Sequence, residues 1–273
     1  MDVRVALAGR MHVDAWGRTL DEDALGGRRG RVLFAYLVVE RDRIITREEL
    51  AGVLWGDDLP SSWQPALRVV ISLIRTALTA TGLPGAETLT GRAGSYQLVL
   101  PPGTVVDVEA AENDVAAGRR LLAAGDPVAA GARAETARAV AARSFLPGQE
   151  AVWIDRLRGR FTRVHVAALE VASDSLVAVG EAARAVLPAE YAVALEPFHD
   201  SAHLRLVRAH AAAGDRGEAL RAYGRFRVLL ADELGVDPSP ELEAAYLELL
   251  RPNGSAGDTQ ASGPPGARVA TDP

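Results

Sequence analysis

Residues 62–80 read SWQPALRVVISLIRTALTA, and the fold turns on how this stretch is understood. Leu67, Ile71, Ile74 and Leu78 recur at the three- and four-residue spacing of one helix face, with Val70 beside them. Gln64, Arg68, Ser72, Arg75 and Thr79 fall together on another face. Pro65 lies in the first turn, where a missing N–H is tolerated, and Ser61 or Ser62 stands where an N-cap is expected. A helix with a stripe packed on the protein and a row of guanidinium, hydroxyl and amide groups turned away can enter a DNA major groove, where arginine bonds guanine edges or phosphates. A solvated face is the commoner origin of such a row, so the flanking sequence has to decide.

Upstream, Val3, Val5 and Leu7 alternate with Arg4 and Ala6, and a second short run over 12–16 ends at Gly17-Arg18, a hairpin pattern within residues 3–24. The period then becomes helical over 28–40, through Val32, Leu33, Tyr36 and Leu37. Thr46-Arg47-Glu48-Glu49 has the form of a capping box, Thr46 bonding the Glu49 amide and Glu49 reaching back, and it opens a second helix over 47–55. Downstream of the third helix, two β-prone runs over 88–90 and 96–100 flank Gly91-Arg92-Ala93-Gly94. That is a hairpin whose tip places Arg92 where it can reach a minor groove. Strands, three helices and a basic-tipped hairpin, in that order, make an α+β winged helix-turn-helix.

Pro101-Pro102-Gly103 is the expected domain boundary. Beyond it strand signals almost vanish and helices are expected at about 107–124, 127–143, 149–178, 180–195, 199–213, 216–234 and 239–250. The segment around Gly214, Ala219 and Tyr223 has tetratricopeptide-like spacing, so the second part is expected to be an all-α helical repeat domain. The expected organisation is 1–102 winged helix, 103–251 helical domain and 252–273 a disordered tail rich in Gly, Pro, Ser and Ala.

The chain carries 30 basic residues, all arginine, 36 acidic ones, a net charge of −6 and no cysteine. Without cysteine, disulfides and thiolate metal sites are excluded. The first 100 residues are balanced, with 12 Arg and 12 Asp or Glu, and the excess acid lies in the helical part. Met1-Asp2-Val3-Arg4 lacks the layout of a signal peptide and no apolar run has the length of a membrane span, so a cytoplasmic protein without membrane association is expected.

Catalytic and metal signals are weak. His199 and His203 have the four-residue spacing of helix metal ligands, but no third ligand is evident and solvated histidines are the plainer reading. Gly26-Gly27-Arg28-Arg29-Gly30 lacks the Lys-Ser/Thr ending of a phosphate loop. No enzyme, cofactor or metal is expected. Trp153, Arg156, Arg160 and Arg163 form a candidate basic edge on the long helix, with solvation the plainer reading, and Val69 and Leu73 extend the apolar surface of the third helix towards the second domain or a neighbouring protomer.

Several segments carry a family resemblance: 25–31 (LGGRRGR), 45–50 (ITREEL), 54–60 (LWGDDLP), 72–75 (SLIR), 145–148 (FLPG) with Trp153, 217–223 (GEALRAY) and 230–238 (LADELGVDP). The first 100 residues resemble the OmpR-type winged helix. Residues 3–250 resemble the Streptomyces antibiotic regulatory protein family, with its bacterial transcriptional activation domain. The resemblance implies an activator that binds direct repeats of double-stranded DNA near a promoter, recruits RNA polymerase holoenzyme and controls secondary-metabolite genes, either as a homodimer or as side-by-side protomers. It implies DNA-binding roles for Arg68, Ser72 and Arg75 on the third helix and Arg92 on the wing. Gln64 shares the helix face, and Arg47 is a candidate phosphate contact at a helix N-terminus. Leu73 and Gln97 stand where the family commonly has arginine. Weaker, more salt-sensitive or more partner-dependent binding is therefore expected, and a helical adaptor with a vestigial winged helix is the alternative.

Overall fold

The computed structural model describes residues 3–251; the tail expected to be disordered, 252–273, lies outside them. The N-terminal alternation forms three antiparallel strands, β1 (Arg4–Ala6), β2 (His12–Ala15) and β3 (Arg18–Asp21). Val5, Val13 and Leu20 line up across them in register and are buried, which is why this face closes on the protein. A 3-10 turn, Glu22–Leu25, leads into α1 (Gly27–Val39), whose residues 32–38 are all buried. Gly30 has no substitute here: a Cβ would lie 1.6 Å from the Leu25 carbonyl oxygen.

Next come a two-residue strand, β4 (Ile45–Thr46), then α2 (Arg47–Trp55), α3 (Trp63–Ala80), a single turn α4 (Gly85–Thr88), and the hairpin β5 (Leu89–Arg92) and β6 (Ser95–Leu98). The second sheet has the order β4-β6-β5, Ile45 lying opposite Tyr96. This is a winged helix with the hairpin as its wing.

Two local expectations need correction. Thr46 does cap α2, its hydroxyl accepting from the Glu49 amide at 3.1 Å. The reciprocal half of the box is absent: Thr46 is a strand residue paired with Ser95, and the Glu49 carboxylate turns instead to the Tyr36 hydroxyl and Arg43. Ser62 makes no capping bond with its side chain.

Just beyond Pro101-Pro102-Gly103, a further strand, β7 (Val105–Val106), returns to the first sheet and pairs parallel with β1, giving the order β3-β2-β1-β7. It runs into α5 (Asp107–Ala123), followed by α6 (Pro127–Ala141), α7 (Val152–Ala178), α8 (Ala182–Leu195), α9 (Asp200–Ala212), α10 (Arg216–Leu234) and α11 (Pro240–Leu250). Buried alanines at 111, 130, 134, 137, 141, 168, 185, 189 and 192 let these helices approach closely.

One hydrophobic core joins the two parts. Leu7, Phe34 and Leu37 share it with Phe145, Leu146, Ile154, Leu157 and Phe161. The Asp107 carboxylate accepts the N–H groups of Leu7 and Ala8, both at 2.9 Å, and Ala8 bridges to Phe145. Trp153 stands edge-on to Tyr36, ring centres 5.1 Å apart. The winged helix therefore sits on the helical domain through a packed, hydrogen-bonded seam.

Candidate nucleic-acid interface

Packing decides which face of α3 looks outward. Leu67, Val70, Ile71, Ile74, Ala77 and Leu78 are buried, as the stripe requires. Arg68, Val69, Ser72, Leu73 and Thr76 are exposed, and Gln64 and Thr79 are exposed at the flank. The outward face is thus centred on Val69, Ser72 and Thr76, with Arg68 beside them. The periodic row of Gln64, Arg68, Ser72, Arg75 and Thr79 lies one edge closer to the wing than this outward face and omits Thr76. Val69 is 60% exposed, an apolar side chain among polar neighbours. Leu73 leans away, its Cδ1 lying 2.6 Å from where a Gly26 Cβ would stand. Gly26 also has a φ of +81°, so the contact and the backbone both favour glycine there.

The structure divides the other candidates. Arg75 is half-buried at the wing edge, and its Nε donates to the Leu89 carbonyl at 2.9 Å, so it fastens α3 to β5. Arg47 lies along the wing tip: its backbone N–H donates to the Gly94 carbonyl at 3.0 Å and its Nε bonds Glu48 at 2.8 Å. Arg92 is exposed at the tip, where Ala93 and Gly94 both take positive φ. Among the described residues, neither Arg68 nor Arg92 has a carboxylate or carbonyl partner. By contrast Arg10 pairs with Asp21 and Asp23, Arg31 with Glu22, and Arg43 with Glu40 and Glu49. Arg18, Arg28 and Arg29 likewise have no carboxylate partner among the described residues, so cations without an acid partner lie on α3 and the wing tip and also on β3 and at the start of α1.

The base of α2 is electrostatically locked. The Arg43 guanidinium holds the Glu49 carboxyl below its usual range. Burial and the neighbouring Glu49 push the Tyr36 hydroxyl up to about 12, so it stays a donor. Gln97, the position where an arginine contact was expected to be lost, has another partner: its Nε2 donates to the Arg41 carbonyl at 3.3 Å.

Beside α3 runs a groove lined by Gly26, Leu54, Trp55, Val69 and Leu73, with Arg28 and Arg29 at its rim; Arg29 lies over the Trp55 ring at 5.4 Å. Val69 and Leu73 thus border α1 and α2 and do not reach the helical domain.

His203 is buried, not solvated: it stacks on Phe226 at 3.7 Å and its Nε2 meets the Pro197 carbonyl at 2.9 Å. Burial lowers its pKa. His199 precedes α9 and faces Glu170 at 3.4 Å. The two rings are thus committed to different partners, and among the described residues no group of three His, Cys, Asp or Glu could hold a metal ion. The basic edge of α7 is broken, since Arg160 forks onto Glu112 at 2.6 Å on both arms and Trp153 is packed in the seam. Among the described residues no helix is long and apolar enough to cross a membrane.

Comparison with known proteins fits this architecture. Residues 106–250 match the model of the bacterial transcriptional activator domain. The regulatory protein AfsR of Streptomyces coelicolor is 31% identical over 232 residues, 84% of this chain and 22% of its own length. The regulatory protein DnrI of Streptomyces peucetius is 27% identical over 221 residues, covering 79% of this chain and 81% of DnrI. The chain thus spans about a fifth of AfsR and most of DnrI. Mycobacterium tuberculosis EmbR, solved in complex with a low-affinity phosphopeptide, superposes with a TM-score of 0.80 at 23% identity, over 91% of this chain and 65% of EmbR, which shows the shared fold. The chain belongs to the bacterial transcriptional activator domain family, among transcriptional regulators of the Streptomyces antibiotic regulatory type.

Proposed function

We propose that this protein is a cytoplasmic, sequence-specific DNA-binding activator, not an enzyme, in which residues 1–102 bind DNA and residues 103–251 engage the transcription machinery. In this reading α3 lies in the major groove with Arg68 and Ser72 towards base edges, Gln64 at its N-terminal end, and Arg92 and Arg47 towards the flanking backbone. Arg75 acts as the strut between helix and wing, its Nε bonded to the Leu89 carbonyl and its Nη2 lying against Gly91. One observation carries the proposal: the outward face of α3 and the wing tip present Arg68 and Arg92, which among the described residues have no internal partner, whereas Arg31 and Arg43 of the same winged helix are held by carboxylates. Protomers on promoter direct repeats would sit head to tail and present the acidic helical domain to RNA polymerase holoenzyme. Secondary-metabolite genes are the expected targets, as the family resemblance implies.

A salt titration of binding to the DNA upstream of the protein's own gene tests this. Each phosphate contact contributes about −0.9 to the slope of log affinity on log salt. With two or three backbone arginines we expect a slope of about −2 to −3 and retained preference for one sequence. This is shallower than the greater salt sensitivity anticipated from the missing arginines, because fewer phosphates are neutralised. The second reading, an adaptor with a vestigial winged helix, is favoured by the zero net charge of the first 100 residues. It predicts no sequence preference even at low salt.

A further inference from the structure

Besides the pairing of β6 with β4, the wing is held at three further places. Arg75 of α3 ties its base through the Leu89 carbonyl. The Arg47 amide of α2 ties its tip through the Gly94 carbonyl. The third tie stays within the winged helix at Gln97 and Arg41 and is continued to the helical domain by the Arg41 guanidinium. Gln97 of β6 donates from Nε2 to the Arg41 carbonyl, and the Arg41 guanidinium forks onto the Glu109 carboxylate of α5 with two bonds of 2.8 Å. The same guanidinium donates to the Val38 carbonyl at 3.0 Å, closing the end of α1.

Each link in this chain is constrained. The Arg41 and Glu109 side chains are 21% and 33% exposed, so the fork is partly shielded from water and salt. Two parallel bonds fix orientation as well as distance. Glu109 is rigid on its own side, because α5 begins directly after β7, which pairs with β1, and its first residue holds Leu7 and Ala8. Gln97 occupies the second wing strand, one residue from buried Leu98.

We infer that Glu109, acting through Arg41 and Gln97, is a positioning residue for the wing: the helical domain sets where Arg92 meets DNA. The inference rests on the DNA-binding reading above. It gives the helical domain a direct part in the grip on DNA, so that anything displacing the start of α5 also moves the wing.

The test is a double-mutant cycle in the full-length chain, reading affinity and salt slope on the protein's own upstream DNA. Arg92→Ala removes the proposed backbone contact and should lower the slope by about one. Glu109→Gln should weaken binding several-fold and lower the slope by a similar amount, and should add nothing further in the Arg92→Ala background, because both changes remove one contact. Gln97→Leu, which spares the ion pair, should reproduce Glu109→Gln; it keeps the test open should the charge change disturb folding. A merely structural role predicts a lower melting temperature with an unchanged salt slope, or losses that add to Arg92→Ala; either result overturns the inference while leaving DNA binding intact. Wild-type protein without sequence preference would overturn the DNA-binding reading, and the inference with it.

Discussion

At the scale of single residues, one contact separates arginines that look alike in the sequence. Arg68 and Arg75 share a helical row, yet Arg68 points outward while Arg75 bonds Leu89. Arg75→Ala would leave that carbonyl without its partner, at roughly 1–3 kcal/mol, and should lower the melting temperature by several degrees. Arg68→Ala, an exposed change, should move stability by no more than about 0.5 kcal/mol. Thermal unfolding of the two variants checks this, and equal melting temperatures would contradict it. Helical period alone made Arg68 and Ser72 legible. It could not give Thr76 its place at the centre of the outward face, nor reveal Arg75 as a strut, because both depend on where the wing folds back. Gln97 teaches the same lesson: against the family pattern it is a missing cation, and in the fold it is a hydrogen-bond donor to Arg41.

At the scale of elements, the long periodic segments were readable, including α1, α3 and the seven helices from α5 to α11. β4 and β7 were not, since two residues cannot display alternation. Their pairing comes from partners about 50 and 100 residues away in the chain. The α9–α10 hairpin shows a second limit. Its Gly214 turn and its Ala219 and Tyr223 were legible, but the spacing of His199 and His203 said nothing of burial. His203 is kept neutral by burial, its pKa lowered from 6.5. A depressed folded value means that this contribution to stability is present above pH 6.5 and is lost as pH falls through the folded value. His203→Gln should weaken the protein at neutral pH by about 1–2 kcal/mol and flatten its stability profile between neutral pH and about pH 5. Denaturant melts across that range decide; parallel profiles for the two proteins would show that His203 does not carry the dependence.

At the scale of the whole molecule, the break expected at Pro101-Pro102-Gly103 is crossed by β7, by the Asp107 carboxylate and by a shared core that includes Phe145, Ile154 and Phe161. Burying one such side chain contributes about 1.5–3 kcal/mol, so losing several approaches the 5–15 kcal/mol that holds a typical domain. A fragment of residues 1–102 is therefore predicted to lack the cooperative unfolding of the full chain, as calorimetry would show; a fragment melting as sharply and as high as the full chain would mean that the seam contributes little. The seam also bears on the proposed function, since it fixes α3 and the wing relative to the helical domain proposed to engage polymerase. If the outward face of α3 reads DNA from within this unit, footprinting the DNA upstream of the protein's own gene with wild type and Arg68→Ala side by side will show it. Wild type should give salt-sensitive protection of tandem repeats, and the equally stable variant should lose that protection. Identical footprints for the two proteins, or none for wild type at low salt, would contradict it.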